Sequence, residues 1–265
     1  MEPMDRFLSR VLRLWPLLAL PPALMAQFIT ELAPQTNREF DEYQKSAEAR
    51  MDWQAHLSPG PGEVTITAGE SNSLTEVTGG LIHDWKAATF APGATVEQAL
   101  AVLQDYANYK TIYAPEVIDS RVLSHDGNRW RLSLRLVKKK ILTVTLNSEY
   151  EAEYRSLGNG RWAKLSHSTK LTEVSGGREL PAGTGHGFLW RLNSYWLIEP
   201  RGDGVYLECR SISLSRGIPA VLDVIIRPMV TSVPRESLRN TLEATVRALG
   251  KAHGEASEHN IAPGK

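Results

Sequence analysis

Cys209 is the only cysteine in this chain, which excludes an intrachain disulfide and leaves no thiol for lipid attachment near the amino terminus. Charge of either sign is not in excess: 30 basic residues face 30 acidic ones, so bulk charge supplies no pull toward nucleic acid or an anionic membrane. No segment repeats with a period of about 20–50 residues, which excludes a solenoid or propeller. Nucleophile elbow, phosphate loop and dinucleotide fingerprint are all missing. The glycines of GTGHGF (183–188) follow turn residues and lead into a strand, not a helix. Zinc-type spacing is missing too. His83 and Asp84 are adjacent in an extended segment and point to opposite faces, while His125 and His186 fall in turns. The expectation is a protein with no metal and no cofactor.

What is present is the balance of a globular chain, 42% hydrophobic and 23% charged. At the start, Arg6, Arg10 and Arg13 precede an uncharged run from Leu14 to Ala26 that is too short to span a bilayer. This predicts a secretory signal peptide over 1–26, a mature start near Gln27, and a secreted or periplasmic protein of the cell envelope. Leu24 at the third position before the cut, and Pro16, Pro21 and Pro22 within the run, fit the alternative of an uncleaved membrane-associated helix. Residues 27–60 read as a helical arm, with Phe40, Tyr43, Ala47 and Met51 on one stripe and a breaker at Ser58–Gly62. One α+β domain is expected over 61–252 and a disordered tail over 253–265.

Within that domain a strand ends at Pro92, and Thr95 with Gln98 forms a capping box for a helix carrying Val96, Leu100, Leu103 and Ala107 on one face. From Glu116 the pattern turns to period two through six segments joined by short turns, an antiparallel meander. An apolar run from Ile218 follows, with Pro219 opening it and Pro228 bending or interrupting it. A final helix is expected from Pro234 to Gly250, striped by Leu238, Leu242, Val246 and Leu249.

The segments QALAVLQDYANYKTIYAPEVIDSRVL (98–123) and VYLECRSISLSRGIPAVLDVIIRPMV (205–230) carry a resemblance to the START-like, or Bet v 1-like, superfamily, the SRPBCC group of polyketide cyclases and lipid-transfer proteins. The resemblance covers about three quarters of the chain and rests on apolar spacing rather than on invariant catalytic letters. It implies the helix-grip fold: a curved antiparallel sheet of about six to seven strands wrapped around a long C-terminal helix. It also implies a deep pocket between sheet and helix, usually for an apolar ligand; with the signal segment, this order of elements and small residues on the sheet's inner row, the expectation is non-catalytic binding or transport of an apolar small molecule or lipid. The alternatives it leaves are a cyclase or dehydratase using the same pocket, and an interaction module whose arm helix docks on a partner.

The residues test this through the last hairpin. A Gly202–Asp203 turn pairs Ile198 with Leu207, Trp196 with Cys209, Ser194 with Ser211 and Leu192 with Ser213. That row is too small to fill its own interior. The predicted lining is therefore Trp190, Leu192, Ser194, Trp196, Cys209 and Ser211 from this hairpin, and Trp130, Leu132 and Leu134 from the one before it. His167 is placed on the inner face from β-strand alternation with Leu165, Thr169 and Leu171, and Leu222 and Ile226 come from the apolar run, read either as a lid or as a core plug.

His167 reads either as a polar anchor or acid–base group, or as a hydrogen-bonded core histidine. Cys209 reads as a small buried hydrophobe, and Arg201–Asp203 as turn residues rather than an adhesion tripeptide. The basic residues Arg135–Lys140 would suit transient membrane contact; the plainer reading is a solvated face with Arg129 and Arg131 opposite Glu149 and Glu151. A monomer that binds no nucleic acid is expected.

Overall fold

The period-two segments fold into strands that build one twisted antiparallel sheet. In the computed structural model, residues 32–70, 72–139, 143–185, 189–217 and 223–259 are described, with the backbone alone for 223–230 and 252–259. The expected signal peptide lies outside the described residues.

The order is α1 (Pro34–Ala49), β1 (Thr65–Ala68), β2 (Leu74–Val77), β3 (Gly80–Pro92), α2 (Val96–Gln104), a 3-10 turn (Tyr106–Asn108) and α3 (Tyr109–Ile112). The meander follows: β4 (Val117–Asp126), β5 (Arg129–Lys139), β6 (Thr143–Gly158), β7 (Arg161–Ser175), the two-residue β8 (Arg178–Glu179), β9 (Leu189–Arg201) and β10 (Gly204–Arg216). α4 (Asp223–His259) closes the chain. Across the sheet the strands run β1-β3-β10-β9-β7-β6-β5-β4, with β2 also on β3 and β8 on β7. The sheet thus has ten strands, and the meander expected from Glu116 accounts for most of them; the additions are β3, which pairs along all of β10, and the short β1, β2 and β8.

Local chemistry fixes the ends of these elements. Thr95 and Gln98 exchange the two bonds of a capping box at the start of α2. Gly202 takes φ +56° in the β9–β10 turn, a conformation that glycine adopts without a Cβ penalty. The pairing in that hairpin is the expected one, Ile198 with Leu207 through Leu192 with Ser213. On the outer face of β5 and β6, Arg131 pairs with Glu149 (3.8 Å) and Glu151 (3.6 Å), so Arg131 sits on the solvated face, while Arg129 lies opposite Glu153.

Two expectations are corrected. The closing segment is one continuous helix from Asp223 to His259, not an interrupted run followed by a second helix from Pro234. Pro228 and Pro234 each withhold one backbone N–H from the helix, a local cost, and neither breaks it. Gly250 likewise does not end it, since the sequence after it lacks proline until Pro263 and supplies the helix formers Lys251, Ala252, Glu255 and Ala256. The helix therefore enters the segment expected to be a tail from 253. The expected arm helix is α1, and it docks on the sheet's own convex face. Phe40 and Ala47 are fully buried against Ile82, Ala163, Leu165, Tyr195, Ile212 and Leu214.

Polar contacts lock that docking. Thr36 Oγ1 donates to the Thr78 carbonyl (2.6 Å) and Tyr43 Oη to Asp84 (2.8 Å). Glu48 accepts from Tyr195 Oη (2.6 Å) and bonds His167 Nε2 (2.8 Å). Asp84, buried beneath the arm, is neutralised by Arg210, whose Nε lies 2.9 Å away. Both faces of the central strands are therefore covered, the convex one by α1 and residues 50–57, the concave one by α2, α3 and α4.

Candidate functional site

Alternation along each strand sends one row of side chains to the concave face, and cross-strand pairing sets the rows side by side. One row runs Tyr154, Lys164, Trp196, Cys209, Ala87 across β6, β7, β9, β10 and β3. The next runs Ala152, Ser166, Ser194, Ser211, Trp85, and the one after it brings Leu192, Ser213 and His83 together. Serine after serine in the middle of a sheet leaves the floor unfilled. The result is a cavity of about 590 Å³ between this floor and α4, within the range of about 300–1,000 Å³ usual for small-ligand sites.

Its walls are apolar toward β5 and β6, through Leu132, Leu134, Leu136, Val144 and Leu146. Val233, Leu238, Thr241 and Ala244 of α4 form the roof. At the rim Glu116 is bound by Lys138 (2.5 Å) and by Asn240 Nδ2 (2.9 Å), which ties β5 and α4 together beside the opening.

Of the residues expected to line the cavity, Leu132, Leu134, Leu192, Ser194, Trp196, Cys209 and Ser211 do so. Three others do not. Trp130 shares the face but stacks on His125 (ring centroids 3.5 Å apart) and packs on Tyr106 (5.3 Å), beyond the cavity's end. Trp190 is turned to the convex side by a bulge: the pairing passes from Leu214–Arg191 to Ser215–Leu189, so Leu189 takes the inward place. His167 faces the convex side, bound to Glu48, because Lys164 and Ser166 are the inward residues of β7. Leu222 lies outside the described residues, and Ile226 is placed only as a backbone position in α4.

Lys164 and the tyrosines around it were not among the residues expected to line the cavity, and His83 was weighed only as a metal ligand. Lys164 is 5% exposed, and its Nζ lies among the rings of Tyr106 (5.1 Å), Tyr109 (5.7 Å), Tyr154 (5.8 Å) and Trp196 (6.0 Å). It donates to Tyr109 Oη (3.3 Å), which in turn donates to the Leu103 carbonyl (2.6 Å). Burial in this aromatic box lowers its pKa to about 8.

Across the floor, His83 Nε2 is 2.7 Å from Ser215 Oγ while its buried Nδ1 has no partner, and burial pulls its pKa down to about 4. The hydroxyl of Tyr150 is also buried without a partner, and burial raises its pKa to about 12. Burial pushes the Cys209 thiol up as well, so it is protonated and a poor nucleophile near neutral pH. Among the described residues no group of three or more His, Cys, Asp and Glu side chains is placed to hold a metal ion.

No family model and no curated protein matches this chain. Solved structures do. Human STARD10 superposes with a TM-score of 0.51 at 12% identity, over 86% of this chain and 86% of that one. A STAR-related lipid transfer protein from Xanthomonas axonopodis gives 0.47 at 18% identity, over 67% and 97%. The Zhui aromatase/cyclase from Streptomyces sp. R1128 gives 0.45 at 13%, over 68% and 97%. At these identities the likeness concerns architecture alone, and that architecture, a curved antiparallel sheet gripping a C-terminal helix, is the START-like helix-grip fold.

Proposed function

We propose that this protein binds an apolar small molecule or lipid in the cavity between the sheet and α4, as a non-catalytic carrier or sensor. The observation that carries this reading is the cavity itself: leucines and a valine on one side, an unfilled serine floor on the other, under a long helix. A close-packed core would place larger aliphatic groups where Ser166, Ser194 and Ser211 stand.

The competing cyclase or dehydratase reading relied on an inward His167, and that side chain is engaged by Glu48 on the other face. Operation in the cell envelope is supported by the amino-terminal sequence alone, and amino-terminal sequencing of exported protein tests it.

Solvent extraction of protein purified from its native source and from a recombinant host, followed by mass spectrometry, tests the binding function. An apolar species at near-stoichiometric yield is the expected result. Finding none from either source, and no uptake of added lipid, refutes it.

A further inference from the structure

Lys164 puts a buried cation in the floor of the cavity, opposite its apolar wall. Among the described residues no carboxylate pairs with it; its one hydrogen bond is to Tyr109 Oη, four aromatic rings lie around the ammonium, and it borders the cavity. The next inward position along β7 is Ser166, followed across the floor by Ser194 and Ser211, and the structure gives none of these hydroxyls a protein partner. The other cations bordering the cavity, Lys138 and Arg247, stand at its rim beside Glu116 and Glu243. Among the described residues the interior thus offers one positive charge, unclaimed hydroxyl donors, and an apolar wall at Leu134, Leu136 and Leu146.

We infer that the cavity takes a single-chain amphiphile ending in a carboxylate, with the carboxylate on Lys164 Nζ and the serine hydroxyls and the chain along the β5–β6 wall. This rests on the cavity being a ligand site, and it adds the chemical class of the ligand. A buried ammonium is costly without a counter-charge, and a monoanion supplies one charge for one. A phosphate monoester brings a second negative charge, for which the described residues of the interior supply no cation. A neutral head leaves the ammonium unpaired. Burial depresses the proton affinity of Lys164 in the empty protein, and a bound carboxylate would raise it again.

The test uses delipidated full-length chain, Nile red as the displaced probe, and lauric acid, dodecanol and dodecyl phosphate as competitors. At pH 7 lauric acid is expected to bind at least about tenfold more tightly than dodecanol, the size of a charge-assisted bond. Lys164→Met is expected to remove that preference while dodecanol binding stays within about twofold, since methionine keeps the volume. Equal affinity of acid and alcohol for the unmodified protein overturns the inference, and so does an acid preference that survives in the variant. Tighter binding of dodecyl phosphate than of lauric acid overturns the carboxylate assignment. Binding of dodecanol alone leaves the cavity reading standing while this inference falls; failure of Nile red and all three competitors removes both. If Lys164→Met does not fold, the acid-to-alcohol ratio of the unmodified protein across pH decides: it must fall as pH rises above about 8.

Discussion

Replacing Lys164 by methionine in the ligand-free protein should make it more stable, and the gain should fade at high pH. Burial brings the ammonium from the ordinary lysine value of 10.5 down to about 8. At about 1.4 kcal/mol per pKa unit, the folded state disfavours the charged amine by about 3 kcal/mol. Between pH 8 and 10.5 the unfolded chain binds more protons than the folded one, so this contribution to stability rises with pH through that window. Below pH 8 the folded protein carries the whole penalty. Methionine removes it, and loses only the bond to Tyr109 and the contact with four rings, worth about 1–2 kcal/mol together. The net expectation at pH 7 is a gain of about 1–2 kcal/mol, or roughly 2–8 °C in Tm for a domain of this size. Thermal unfolding of both proteins by circular dichroism from pH 6 to 10, after delipidation, measures it; titrations common to both cancel in the difference. A variant less stable than the parent at pH 7, or a difference that does not change between pH 7 and 10, would refute the reasoning, because the amine would then be matched or solvated in the fold.

His83, held near a pKa of about 4 by burial, should make the protein acid-sensitive. The unfolded chain binds the extra proton between pH 6.5 and 4, so up to about 3 kcal/mol of stability is lost on acidification; His83→Gln should flatten the urea-midpoint profile over that range, and parallel profiles would contradict the assignment. Ser211→Trp should fill the cavity floor beside Ser194 and Trp85, weakening Nile red binding at least about tenfold with Tm nearly unchanged; a loss of about 1–3 kcal/mol with binding intact would mean overpacking of a filled core. Phe40→Ala should cost about 3–5 kcal/mol, since that ring is fully buried under α1, and removing residues 27–60 should likewise lower Tm sharply. A truncated protein melting with the parent would instead make the arm a detachable interaction element.

Where a short turn joins two strands, the sequence by itself determined the structure. Gly202–Asp203 permits one register, and from it the inward positions Leu192, Ser194, Trp196, Cys209 and Ser211 follow residue by residue. The capping box at Thr95–Gln98 is equally local. β7 and β9 are neighbours separated in sequence by β8 and its loops, so no turn fixes their register, and only the assembled sheet sets Lys164 beside Trp196. Alternation alone placed Leu165 and His167 inward, because it assumes one wet face. Docking of α1 makes the convex face a second core, so apolar residues occur on both parities of β7 and the pattern no longer says which is which. The bulge at Trp190 reverses parity within one strand for a similar reason: one unpaired residue exchanges the faces, and nothing in the local sequence announces it. The register and the hydroxyl row of the last hairpin are thus properties of the chain, while the cavity's charge, a lysine closed in by tyrosines from the 3-10 turn, α3 and β6, exists only once distant segments meet.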